Sequence, residues 1–122
     1  MEYYERTEPT LRVNVLGAEY RVFLDVPAEA DGTLNDYTGY CDNTAHMIAL
    51  AEKDKDSDLG QWEDYRKRVL RHELIHAFLF ESGLGWDAVW QVEGQIHPEQ
   101  TVDWMARQFP KMLEAFRAAG AL

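Results

Sequence analysis

Residues 59 to 82 constrain this chain more than any other stretch. They read as one long helix whose second half, Val69 to Phe80, is apolar on nearly every side yet carries His72, Glu73 and His76. A helix that is apolar all round is a buried one, and buried polar groups need partners. The fold must therefore supply something for two imidazoles and a carboxylate. Ser57 or Asp58 is expected to cap this helix. Gly83 is expected to end it in the left-handed conformation that glycine tolerates.

Four short strands are expected before the helix. Leu11 to Val15 alternates apolar and polar residues, and Tyr20 to Val22 resumes the alternation beyond Gly17, as in a hairpin. After the breaks at Pro27 and Asp31-Gly32, Tyr37 to Cys41 and Ala45 to Leu50 read as two more strands joined around Asp42-Asn43. Beyond a loop containing Gly85 and Gly94, Pro98 opens a second helix. Its apolar stripe is Val102, Met105, Ala106, Phe109, Leu113 and Phe116, and Pro110 is expected to kink or interrupt it. Glu99 and Asp103 lie one turn apart along one edge of that stripe, where they are expected to border the core. The chain has 122 residues and no internal repeat or linker, so residues 1–122 form a single domain. The expected class is α+β: a small, mainly antiparallel sheet followed by a buried helix and a second helix.

Composition narrows the partners. A net charge of −10 argues against nucleic acid or an anionic membrane surface as the main partner. Lys53 and Lys55 alternate with acids and Arg66, Lys67 and Arg68 follow Glu63-Asp64, so no basic face is expected. No apolar run approaches the roughly 18–20 residues of a membrane span. Cys41 is the sole cysteine, which rules out an internal disulfide. Together with an acidic N-terminus lacking the apolar stretch of a signal peptide, this leads us to expect a cytoplasmic setting.

His72 and His76 are four apart, so on a helix both rings project from one face and reach one tetrahedral zinc. Glu73 is rotated about 100° from His72, where it reaches a water on the metal without ligating it. Catalytic zinc takes three protein ligands and leaves a fourth position open. A third histidine six residues after His76 is excluded, because that position is Ser82, and Leu79 stands where the same pattern wants glycine. Among the acids that follow, only Glu99 and Asp103 pair at helical spacing. Glu99 as third ligand and Asp103 as acceptor for a ligand imidazole N–H complete the set. The alternative is an acid pair that merely favours a helix start.

The pattern His72-Glu73-x-x-His76 followed by Glu99-x-x-x-Asp103 resembles that of the gluzincins, the thermolysin-like peptidases. The short chain, with strands first and two helices after, resembles the minimal zincins of phages and the ImmA/IrrE regulatory peptidases. That resemblance implies a zinc metallopeptidase acting on a peptide or protein. His72, His76 and Glu99 would hold Zn2+, Glu73 would be the general base, and Asp103 would orient a ligand. The strand ending near Leu50 is expected to offer an edge to substrate backbone. His97, at the mouth of the second helix, is a candidate donor to a developing oxyanion. Tyr37 and Tyr40 are candidates to polarise a carbonyl, with packing as the alternative. His46 is a weaker candidate, and the tryptophans read as core or pocket wall. Cys41 lacks the context of the peptide deformylases, which pair a cysteine with this helix motif, and is expected to be a small packing side chain. The rival readings are a zinc-stabilised binding domain without turnover and a hydrolase of non-peptide amides. Oligomeric state is not readable from these residues.

Overall fold

Residues 2–55, 59–84 and 98–122 are described by the computed structural model. The alternating segment after Thr10 forms β1 (Leu11–Val15) and β2 (Ala18–Val26), paired antiparallel from Leu11↔Val22 to Val15↔Ala18. Leu16 and Gly17, at φ 52° and 96°, give the two-residue turn whose twist suits a hairpin. A second hairpin joins β3 (Gly39–Asp42) to β4 (Met47–Ala51), in register from Gly39↔Leu50 to Asp42↔Met47. β4 then pairs in parallel with β2, Arg21 opposite Met47 and Val22 opposite Ile48, so the sheet order is β1-β2-β4-β3.

The protein is therefore α+β, and its sheet is mixed, with one parallel seam between two antiparallel hairpins. β4 lies inside the sheet, not at its edge, which corrects the expectation of a substrate-binding edge near Leu50. Four consecutive buried residues, Met47 to Leu50, are the mark of such a strand. Met47 and Ala49 join Tyr4, Phe23, Val26 and Leu34 on one face. Ile48 and Leu50 join Val15, Tyr20, Val22 and Ala77 on the other.

The first face is closed by a short helix that the periodicity did not announce, α1 (Glu2–Arg6). Its Tyr4 hydroxyl donates to Asp31 Oδ2 at 2.6 Å, the Tyr40 hydroxyl donates to the same oxygen, and the Thr33 N–H donates to Asp31 Oδ1. Burial works against the Asp31 charge, but these donors outweigh it and hold the carboxyl below its usual range.

The second face is closed by α2 (Trp62–Glu81). Its N-cap is Gln61, without a side-chain hydrogen bond, so neither Ser57 nor Asp58 starts the helix; both lie outside the described residues. At the other end Gly83 has φ 89°, as expected. Only Glu73, Ala77 and Leu79 of α2 are buried, and Phe78 is 43% exposed. One sheet and one neighbouring helix cover part of α2 and do not encase it. Gly39 permits the close approach of strand to helix: a Cβ there would meet Val69 Cγ1 at 3.1 Å and the Ala49 carbonyl at 3.2 Å.

The last helix, α3 (Glu99–Ala118), packs on α2 and runs through Pro110 without a break. Proline lacks the N–H that would bond the carbonyl four residues back, which is that of Ala106. Arg71 of α2 supplies the missing donor, its Nε 2.7 Å from the Ala106 carbonyl oxygen. A residue expected to kink or interrupt the helix lies inside it, and the carbonyl it leaves without a donor is bonded from α2. Of the apolar stripe, only Val102 and Ala106 are buried, whereas Phe109 and Phe116 are 53% and 42% exposed. No helix among the described residues is long and apolar enough to cross a membrane.

Candidate metal centre

Regular helix geometry stacks His72 over His76 on α2, and their Nε2 atoms come within 3.2 Å. Glu99, the first residue of α3, faces both rings: Oε2 is 2.9 Å from His72 Nε2 and Oε1 is 2.9 Å from His76 Nε2. One donor atom from each of the three residues lies within 4.8 Å of the others. Tetrahedral ligands at about 2.0–2.1 Å from zinc stand about 3.3–3.4 Å apart. The observed separations fall just inside that span, so these residues fit a small divalent ion with slight outward movement. Two imidazoles and a carboxylate suit the divalent transition ions that favour nitrogen and oxygen, zinc and iron among them.

Around this group the sequence-based candidates are distributed as follows. Asp103 Oδ1 is 3.6 Å from His72 Nδ1, on the side of the ring away from Glu99 and longer than a hydrogen bond. Its other oxygen accepts from Arg107 Nε at 2.7 Å, one helical turn on. The Arg107 hydrogen bond keeps the Asp103 carboxyl ionised, below its ordinary range. Glu99 and Asp103 are 52% and 39% exposed, so they stand at the rim of the site and do not border the core as expected.

Glu73 is buried, with 8% exposure, and belongs to the wall beside the three donors. Burial pushes its carboxyl up to about 7; the Glu99 charge adds to the rise and His72 opposes it. A carboxyl poised there exchanges protons readily at neutral pH. The donors and Glu73 open onto a cleft of about 700 Å³, whose opposite wall is β3 and the turn before it. β3 pairs only with β4, so its other edge is free among the described strands.

Cys41 lines the same cleft but is absent from the donor group, and burial pushes its thiol up to about 12, with Glu73 adding to the effect. Tyr40 reaches the cleft wall while its hydroxyl is committed to Asp31. Tyr37 lines the cleft and is 64% exposed. His46 packs on the Tyr20 ring and faces Glu81 at 3.7 Å, away from the donor group. Trp104 is exposed, whereas Trp62 lines a separate cavity. His97, Trp86 and Trp90 lie outside the described residues. Arg71 and Arg107 were not singled out from the sequence; the one available signal for Arg71 was Pro110, which leaves the Ala106 carbonyl in need of a donor. No protein-family model matches this chain, and no curated protein or solved structure matches it.

Proposed function

We propose that this protein is a zinc-dependent peptide-bond hydrolase, a minimal zincin of the gluzincin type. One observation carries the reading: two imidazoles of α2 and a carboxylate of α3 converge beside a buried glutamate, in a cleft bordered by β3, an edge strand among the described residues. Zinc held by His72, His76 and Glu99 would supply Lewis acidity, polarising a carbonyl and making a water more acidic.

The chain's own residues do the rest. The β3 edge offers backbone N–H and C=O groups to an extended peptide and lays it along the cleft. Asp103, braced by Arg107, would orient the His72 ring once its oxygen closes the 3.6 Å to Nδ1. Glu73 takes a proton from the attacking water as its oxygen bonds to the carbonyl carbon. It then passes that proton to the departing nitrogen as the C–N bond breaks. The reading includes a cytoplasmic setting, supported by the single, half-buried cysteine.

Metal analysis of protein purified without chelator, followed by peptide cleavage assays, tests this function. We expect about one zinc per chain, and cleavage that falls at least about a hundredfold in Glu73→Gln while the zinc stays bound. Zinc binding with no cleavage of any peptide would favour the rival binding domain. No zinc uptake at all would end the hydrolase reading.

A further inference from the structure

Two cavities meet at the metal centre. Besides the larger cleft, a smaller one of about 240 Å³ shares Tyr37, Gly39, His72, Glu73 and Glu99 with it. Arg68 is the only Lys or Arg among the described residues lining either cavity. It precedes His72 by one helical turn, on the same face of α2.

Arg68 is a half-buried cation in an acidic chain. Its guanidinium lies over the Tyr65 ring, 5.2 Å from the centroid, and the Tyr65 hydroxyl is 3.2 Å from the Thr38 hydroxyl. Among the described residues it makes no ion pair, although Glu99 and Asp103 line the same small cavity. Those two acids have other work. Glu99 turns to both imidazoles, and Asp103 to Arg107 and His72. The cation–π contact holds the guanidinium over the Tyr65 ring, and its N–H groups make no ion pair with any described acid.

We propose that Arg68 and the smaller cavity form a carboxylate-binding subsite for an extended peptide, making Arg68 a specificity-determining residue. The inference rests on the hydrolase reading of the same centre. One helical turn is about 5.4 Å and an extended peptide advances about 3.3 Å per residue. The recognised carboxylate thus lies one or two residues from the scissile bond. It belongs either to an aspartate or glutamate side chain or to the peptide's own C-terminus.

Fluorescein-labelled peptides test both sources. One pair differs only in Asp against Asn, and a second only in a C-terminal acid against its amide. Binding to the zinc-loaded protein is read by anisotropy, and cleavage separately. The carboxylate member of at least one pair should bind about tenfold or more tightly, and the pair that responds identifies the source. Arg68→Ala should erase the preference through KM with kcat nearly unchanged. Arg68→Lys should keep part of it, and Arg68→Glu should shift selection toward a lysine peptide. Equal binding of acid and neutral peptides overturns the subsite. So does a preference that survives Arg68→Ala in protein of normal zinc content and melting temperature. Charge-selective binding without cleavage supports the subsite and counts only against the hydrolase reading.

Discussion

Glu73 and Glu99 carry the same carboxyl group and differ in what surrounds it. Glu73 sits within α2, buried, its carboxyl pushed up to about 7. Glu99 stands half exposed at the start of α3 with both oxygens turned to imidazoles. The first geometry suits carrying a proton and the second suits holding an ion. Zinc affinity should separate them. Glu99→Ala removes the proposed third ligand and is expected to weaken binding most. Asp103→Asn leaves the ligands in place but orients His72 poorly, a loss of about ten- to a hundredfold. Glu73→Gln should bind zinc nearly as well as the unaltered protein. Competitive chelator titration of the three variants gives the ranking, and equal losses in Glu73→Gln and Glu99→Ala would overturn the assigned roles.

Between elements, the decisive link joins α2 to α3. Pro110 leaves the Ala106 carbonyl without its helical donor, and Arg71, next to His72 in the chain, fills the place. Arg71→Met should orphan that buried carbonyl, at about 1–3 kcal/mol. In a Pro110→Ala background the restored N–H serves the carbonyl, so the same Arg71 change should cost markedly less. Urea melts of the four proteins measure the coupling; strictly additive effects would show that Arg71 acts elsewhere. This link also marks where sequence reading stops. His72 and His76 share a helix, so spacing alone places their rings together, and Glu99 follows from the ligand count. The first hairpin was legible through the alternation on either side of Gly17, and the second through two short runs joined around Asp42-Asn43. The placement of β4 was not, because an apolar run such as Met47 to Leu50 reads alike at an edge or between strands until its partners are known. The five residues of α1 form a helix too short for periodicity, held by a tyrosine reaching Asp31 from far along the chain.

At the scale of the whole molecule, Asp31 ties α1 to β3 and so to the wall of the cleft. Its folded carboxyl titrates below the ordinary value of 3.8. The stabilisation is therefore fully present above about pH 4 and is lost as pH falls through the lower, folded value. Asp31→Asn should lose about 1.5–3 kcal/mol at neutral pH, where the charged acceptor matters. It should also show a shallower decline in acid than the unaltered protein. Denaturant midpoints at pH 7 and pH 3 measure both effects, and parallel pH profiles would locate the acid sensitivity in another group.

The parallel seam has a kinetic meaning as well. Each hairpin closes over a short stretch of chain, but Arg21 meets Met47 only after everything between them has been looped out. Distant pairings of this kind form slowly. α2 lies across the seam, its Ala77 clustered with Val22 and Ile48, and α3 is pinned to α2. We propose that the three donors come together only after the hairpins have met, so that an ion, on the zinc reading, would enter a chain whose sheet is already closed.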